Sequence, residues 1–220
     1  MLDMQLMILV KNILKPYYRK LKAMLKYGRR RGLLSKDFSI ISNNCSGGYV
    51  YQYYGITYNT PTEGLYFITK DYIKLIERPE HYFNHDVLLI DPHESKLAKR
   101  GKDITYPVGI IDDIEVYFMH YPDPLEAIAK WKRRASRINY KKVFYLLTET
   151  ELMEDADLYR FVELMSSKQL KGVCLTMKDY QLPYTQYIPD VPKDTVSNNV
   201  SWTPNTIINS LNWKQIVNAL

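Results

Sequence analysis

Two cysteines in 220 residues are too few for a disulfide framework, and Cys45 and Cys174 belong to no CxxC or Cys/His ligand spacing. The four histidines form no HExxH pair. His81 and His85 are four apart, but His85 abuts Asn84 and Asp86, where the next strand is expected to start. No structural zinc site is expected, and so little cysteine suits a reducing compartment, the cytoplasm. No run approaches about 18 uncharged apolar residues, so no segment is expected to span a bilayer. The apolar stretch 4–10 is short, its basic residues follow it, and no small-residue cleavage site appears, so it does not read as a secretory signal. GxSxG, Walker and GxGxxG patterns are absent, which leaves a serine hydrolase, an NTPase or a dinucleotide enzyme without a sequence basis. Glycine is scarce too, with nine in the chain. Two of those nine are adjacent, at Gly47-Gly48.

Acidic residues are nearly missing from one end. Between residues 1 and 34 nine basic residues stand against Asp3 alone, a net +8, whereas 35–220 nets −2. The same segment carries Leu6, Leu9, Val10, Ile13, Leu14, Tyr17, Leu21, Met24 and Leu25 at helical spacing. A basic amphipathic helix is expected over this arm, kinked or broken at Pro16. Such a helix suits the headgroup region of an anionic membrane, on the inner face of a cell. The competing reading is a helix docked on its own domain or on a second copy in a homo-oligomer. Nucleic-acid binding is disfavoured, because the apolar stripe is too complete and the rest of the chain is slightly acidic.

Beyond the arm a single α/β domain is expected over 35–220, its sheet mainly parallel and flanked by helices. Strands are expected at 38–42, 64–68, 87–90, 107–111, 114–119, 143–147 and 172–176. Asp112-Asp113 reads as a hairpin turn between two of them. Helices are expected at 48–54, 70–77 (capped by Thr69), 81–84, 124–138 (capped by Asp123) and 156–166, with a last one over 213–219. The stretch 180–204, rich in Pro, Asn and Thr, reads as irregular surface. Twenty tyrosines serve core packing or the stacking of sugars.

The stretch "SIISNNCSGGYVYQ", 39–52, places two asparagines, a thiol, a hydroxyl and two glycines where a strand turns into a helix. That end of a parallel sheet is where α/β proteins bind ligands, and a helix N-terminus lowers a thiol pKa. Cys45 is therefore a candidate nucleophile. The backbone N–H groups of Ser46, Gly47 and Gly48, with the amides of Asn43 or Asn44, are candidate oxyanion donors. The alternative is a tight turn whose glycines let the helix pack on the strand. His120 ends an expected strand and is the candidate general base. Asp112, Asp113 and Glu115 lie near it in the chain and would orient the imidazole or hold a divalent ion. Arg134 and Arg137 follow Trp131 at helical spacing and would clamp a phosphate of a nucleotide-sugar, a lipid-linked diphosphate or an acyl-coenzyme A donor. A solvated basic face around one core tryptophan explains that helix equally.

The order of these motifs resembles a bacterial family labelled exopolysaccharide biosynthesis protein, found among capsule and surface-glycan genes. The blocks that carry it are Asn43-Asn44-Cys45 with Gly47-Gly48, Tyr58-Asn59-Thr60-Pro61, 71–75, 106–109, 113–115, Phe118-Met119-His120-Tyr121, and 130–139, together spanning about 38–180. The arm lies outside the shared region, and Ser46 stands where the family tends to carry a larger residue. The resemblance implies work on a surface polysaccharide or its lipid-linked precursor. Two readings follow from it: a glycosyl- or acyltransferase, and a non-catalytic glycan-binding or assembly factor.

Overall fold

The computed structural model describes residues 2–192 and 200–220, with side chains from Leu14 onward. Its architecture is mixed α/β. A four-stranded parallel sheet in the order β1-β5-β6-β7 is flanked by helices, and a separate antiparallel sheet has the order β2-β3-β4.

The parallel strands are β1 (Ser39–Ser42), β5 (Val143–Thr148), β6 (Gly172–Thr176) and β7 (Thr185–Tyr187). Their apolar runs are continuous because both faces of the sheet are covered. Successive side chains alternate between two cores. Ile41, Tyr145, Leu147 and Cys174 face one, with Trp131, Phe67, Phe161 and Met165. Ile40, Phe144, Leu146 and Leu175 face the other, with Val50, Tyr51, Trp202 and Trp213. The first core is closed by α3 (Thr69–Glu77), α4 (Pro79–Asn84), α5 (Pro124–Ala135) and α6 (Asp155–Ser167). The second is closed by α2 (Ser46–Tyr54), α7 (Pro204–Ser210) and α8 (Trp213–Asn218).

Between β1 and β5 the chain inserts the antiparallel strands β2 (Leu88–Ile90), β3 (Val108–Ile111) and β4 (Ile114–Tyr117). The segment 64–67 joins the two sheets. Phe67 donates its N–H to the Asn43 carbonyl at the end of β1 (2.8 Å), and Tyr66 exchanges both backbone bonds with Tyr117 at the end of β4 (2.8 and 2.9 Å). His120 N donates to the Gly64 carbonyl (3.0 Å). These bonds bring the end of β4 beside the end of β1.

The helix α1 (Leu2–Arg30) runs through Pro16 without a break, so the expected break into two helices does not occur. Its C-terminal turn is anchored: Arg29 stacks on Tyr53 with its guanidinium 4.2 Å from the ring centroid, and Arg30 donates to the Gly55 carbonyl (3.4 Å). Farther out the stripe is bare, with Leu14, Tyr17, Tyr18, Leu21, Met24 and Leu25 all more than half exposed. The stripe positions before Leu14 lie outside the described side chains. No helix among the described residues is long and apolar enough to cross a membrane.

Four expected elements differ from those observed. Only the isolated Tyr66–Tyr117 bridge replaces the strand at 64–68. Thr69 is the first residue of α3 rather than its cap. Part of the stretch at 180–204 forms β7 and the start of α7, while 193–199 lie outside the described residues. Finally, α2 starts at Ser46, so both glycines sit inside the helix, and neither has a positive φ.

Close approach, not turn geometry, explains that glycine pair. A Cβ on Gly47 would meet Ser42 Oγ at 2.8 Å and the Ile40 carbonyl at 3.1 Å, because α2 lies directly on β1. A Cβ on Gly48 would fall 1.3 Å from Glu63 Oε2. Gly47→Ala is expected to lower stability by about 1–3 kcal/mol through overpacking against fixed backbone. Gly48→Ala has only a flexible carboxylate to displace, and paired with Glu63→Ala it should be neutral or stabilising, since Ala favours a helix over Gly by about 1 kcal/mol. Urea midpoints of the three variants check this.

Candidate functional site

At the carboxyl edge of the parallel sheet an open cleft of about 420 Å3 lies between the two sheets. Residues following β1 (Asn44, Cys45, Ser46) and β5 (Thr150, Glu151, Leu152) form one side, and Met119 and His120 after β4 form another. The loop before β3 adds Lys102, Asp103, Ile104 and Tyr106, while Tyr49, Tyr66 and Trp202 supply further rings. Adjacent parallel strands place their following loops together at this edge, which is the ligand side of such sheets.

The structure brings Cys45 and His120 to one cleft, through the segment 64–67 that each of them touches. Cys45 Sγ contacts the Leu65 carbonyl at 3.8 Å, and His120 N binds Gly64. The thiol is not activated, however. Burial and the nearby Glu63 carboxylate push it up to about 11. At neutral pH it is a protonated thiol, and a helix N-terminus does not outweigh desolvation here.

The oxyanion cradle expected at 43–48 is not formed, because its donors are already bonded. Ser46 N donates to Asn44 Oδ1 (3.0 Å), Gly47 N to Ser42 Oγ (3.0 Å) and Gly48 N to the Cys45 carbonyl (2.9 Å). Asn43 is fully buried, and its amide clamps Thr148 at the end of β5. Its Nδ2 donates to the Thr148 carbonyl (3.0 Å), and its Oδ1 accepts from Thr148 N (3.0 Å) and Oγ1 (3.2 Å). Asn44 Nδ2 donates to Thr148 Oγ1 (2.7 Å). The two asparagines therefore build the strand ends rather than reach for a ligand. The Ser46 hydroxyl is the exception. It is buried, lines the cleft, and has no hydrogen-bond partner among the described residues.

Asp113 and Glu115 do not join His120. Asp113 sits in the hairpin turn at the far end of β4, whose four residues span roughly 13 Å. There it pairs with Lys74 (2.6 Å) and accepts from the Tyr82 hydroxyl (2.7 Å), contacts that hold its carboxyl below the usual range. Asp112 in the same turn meets His81 (2.7 Å). Glu115 is buried and accepts from Lys96 N (2.9 Å) and from the Tyr117 hydroxyl, pinning the loop that carries Leu97 into the cleft wall. Among the described residues no group of three or more His, Cys, Asp or Glu side chains is placed to hold a metal ion.

Arg134 and Arg137 lie outside the cleft lining. Arg134 is only 8% exposed and donates to the Glu63 carbonyl (3.0 Å) and the Tyr121 hydroxyl (2.6 Å), with Tyr58 stacked 5.0 Å from its guanidinium. It braces the segment that joins the two sheets. Arg137 is half-buried just beyond α5, and its Nε has no partner among the described residues.

Sequence reading missed Glu63. Its carboxylate lies against Gly48 and accepts one bond from Gln52 (3.2 Å), while Oε2 has no partner among the described residues; burial pushes it up to about 7. The unfolded chain releases this proton near pH 4.5. Between pH 4.5 and 7 the folded state therefore holds more protons, and stability falls as pH rises. Over that window the loss is on the order of 3 kcal/mol. Unfolding measured at pH 5 and pH 8 should show this loss in the natural chain and not in Glu63→Gln. Sequence reading also missed 150–152. The signal was there: an apolar strand expected at 143–147 and parallel to β1 must deliver its following loop to the same edge.

Residues 17–217 match the model of a family described as a domain of unknown function, DUF1919, and the chain belongs to that family. It is also 27% identical, over 135 residues, to a Haemophilus influenzae protein that bears the name uncharacterized protein. The match spans 61% of either chain.

Proposed function

We propose that this member of the family binds a carbohydrate or a lipid-linked sugar in the cleft and acts in surface-polysaccharide assembly as a glycosyl- or acyltransferase. The observation that supports it is the composition of one cleft at the ligand edge of the sheet: partly buried rings of Tyr49, Tyr66 and Tyr106 in the same lining as His120. Ring faces stack on the apolar faces of sugars while their hydroxyls bond sugar oxygens. In this reading His120 takes the proton from the acceptor hydroxyl as that oxygen bonds to the donor's anomeric or acyl carbon and the bond from this carbon to the donor's diphosphate or thiol breaks, releasing it; the role is worth about 10²–10⁴-fold in rate. Cys45 lines the pocket as a neutral thiol, and the transfer is direct rather than through a thioester. The basic, apolar arm holds the chain at the inner face of an anionic membrane, where lipid-linked precursors are presented.

A second reading, a non-catalytic glycan-binding or assembly factor, is favoured by one fact: the N–H groups at the start of α2 are all bonded within the chain. One variant separates the two. His120→Ala should leave sugar binding within about twofold and remove transfer to an offered acceptor by the factor above if the residue is a general base. Unchanged cellular polysaccharide with His120→Ala, together with loss of it on Tyr106→Ala, would favour the binding factor. Sugar binding that is indifferent to Tyr49→Ala and Tyr106→Ala would remove both readings.

A further inference from the structure

Resting on the reading of the cleft as a saccharide site, we infer that its occupant is an uncharged sugar, neutral or N-acetylated, and not a nucleotide diphosphate, a coenzyme A or an acidic glycan. Three independent features of the site point this way. First, a phosphate at a helix start needs free N–H donors, and those of Ser46 and Gly47 are held by Asn44 Oδ1 and Ser42 Oγ. Second, the described lining carries one permanent cation, Lys102, against the two carboxylates of Asp103 and Glu151. The arginines of α5 are not in the lining, and Arg134 is spent on the Glu63 carbonyl and Tyr121. An anionic group entering here would meet a lining that is itself net negative and carries no guanidinium fork, with Arg100 lying outside it near Tyr66. Third, the buried polar atoms of the lining with no clear partner among the described residues are hydroxyls: Ser46 Oγ on a residue only 1% exposed and, in the loop after β5, Thr150 Oγ1 beside the Tyr66 hydroxyl. Hydroxyls donate and accept alike, which suits the hydroxyl and acetamido groups of a neutral sugar.

Neutral selectivity also divides the labour of the proposed reaction. The cleft would hold the acceptor sugar, or the first sugars of a lipid-linked chain, with any diphosphate lying outside it.

The test uses the full chain on a glycan array carrying neutral, N-acetylated, sialylated, uronic-acid and phosphorylated glycans, with UDP-glucose and coenzyme A as soluble competitors. Binding confined to neutral and N-acetylated glycans is expected. It should change less than about twofold between about 50 and 500 mM salt, because no ion pair is screened. UDP-glucose and coenzyme A should not compete, and Tyr106→Ala should weaken binding about tenfold, for loss of one stacked ring. In Asp103→Asn with Glu151→Gln, acidic glycans should gain binding relative to neutral ones. Binding only to acidic or phosphorylated glycans, lost with salt and with Lys102→Gln, would overturn the neutral inference and leave the saccharide cleft standing. No binding to any glycan, or binding untouched by Tyr106→Ala, would overturn both.

Discussion

A chain that begins at Gly28 is expected to stay in the supernatant with anionic vesicles that sediment the full-length chain. The cut is placed there because the anchoring residues lie just beyond it: Arg30 on the Gly55 carbonyl, Leu33 against the second core, and Leu34 N on Asn218 Oδ1 (2.9 Å). Cutting at Ser35 instead would remove those contacts and confuse membrane release with unfolding. Among the described side chains Lys15, Arg19, Lys20 and Lys22 are exposed beside the apolar stripe. At about 1 kcal/mol per basic residue near an anionic surface, four of them give a binding loss of about 10³-fold at low salt. Full-length binding should fall steeply as salt rises through about 0.5 M. Leu21→Ser with Leu25→Ser should also release the chain while keeping its charge, since the stripe contributes through burial in the lipid boundary. Equal sedimentation of the full chain and the shortened one would remove the membrane reading, and the bare stripe would then point to a second copy of the chain.

Asn43→Ala is expected to cost about 3–5 kcal/mol, a large share of the stability of a domain this size. The residue is fully buried, and its amide satisfies the carbonyl, the N–H and the hydroxyl of Thr148. Removing it leaves buried groups without partners at about 1–3 kcal/mol each. Asn43→Asp fares no better, because it loses the donor to the Thr148 carbonyl and buries a charge. Asn44→Ala, half-buried at the cleft, loses the cap on Ser46 N and the bond to Thr148 Oγ1, and should cost about 1–2 kcal/mol. Urea unfolding of the three variants checks the order. A cost for Asn43→Ala near that for Asn44→Ala would show that the clamp contributes little and would return Asn43 to the list of ligand-facing groups.

These asparagines also show what the sequence could and could not reveal. Strand and helix order came through clearly, because each segment carries its own period: the continuous run at 143–147 that both cores bury, the Asp123-Pro124 start of α5, the paired strands around Asp112-Asp113. The location of the cleft came through as well, since the loop after β1 had to reach the carboxyl edge of the sheet. Roles within it did not. Whether an asparagine faces a ligand or a neighbouring strand depends on Thr148, more than a hundred residues away, and no local pattern encodes that. Arg134 misleads in the same way. On a helical wheel it shares a face with Trp131 and looks like a surface clamp, but it is buried against the carbonyl of Glu63. Proximity in the chain misled at Asp113, because a strand separates its two ends by its full length. Chain distance is a poor guide wherever an extended strand intervenes.

The strut formed by 64–67 fixes how the cleft works mechanically. Four backbone hydrogen bonds hold it: Phe67 to Asn43, Tyr66 with Tyr117 in both directions, and His120 to Gly64. Parting the small sheet from the large one would break the Phe67–Asn43 bond and pull open a shared core, in which Ile111, Ile114, Val116 and Phe118 pack with Ile41, Tyr145 and Leu147. Each large apolar side chain buried there contributes about 1.5–3 kcal/mol, so the two sheets stay together. The aperture between Cys45 and His120 is therefore of fixed width, and under the proposed function a long polymer would enter by threading along an already open groove rather than by being clasped. A groove of that kind accepts internal segments of a chain as readily as its ends.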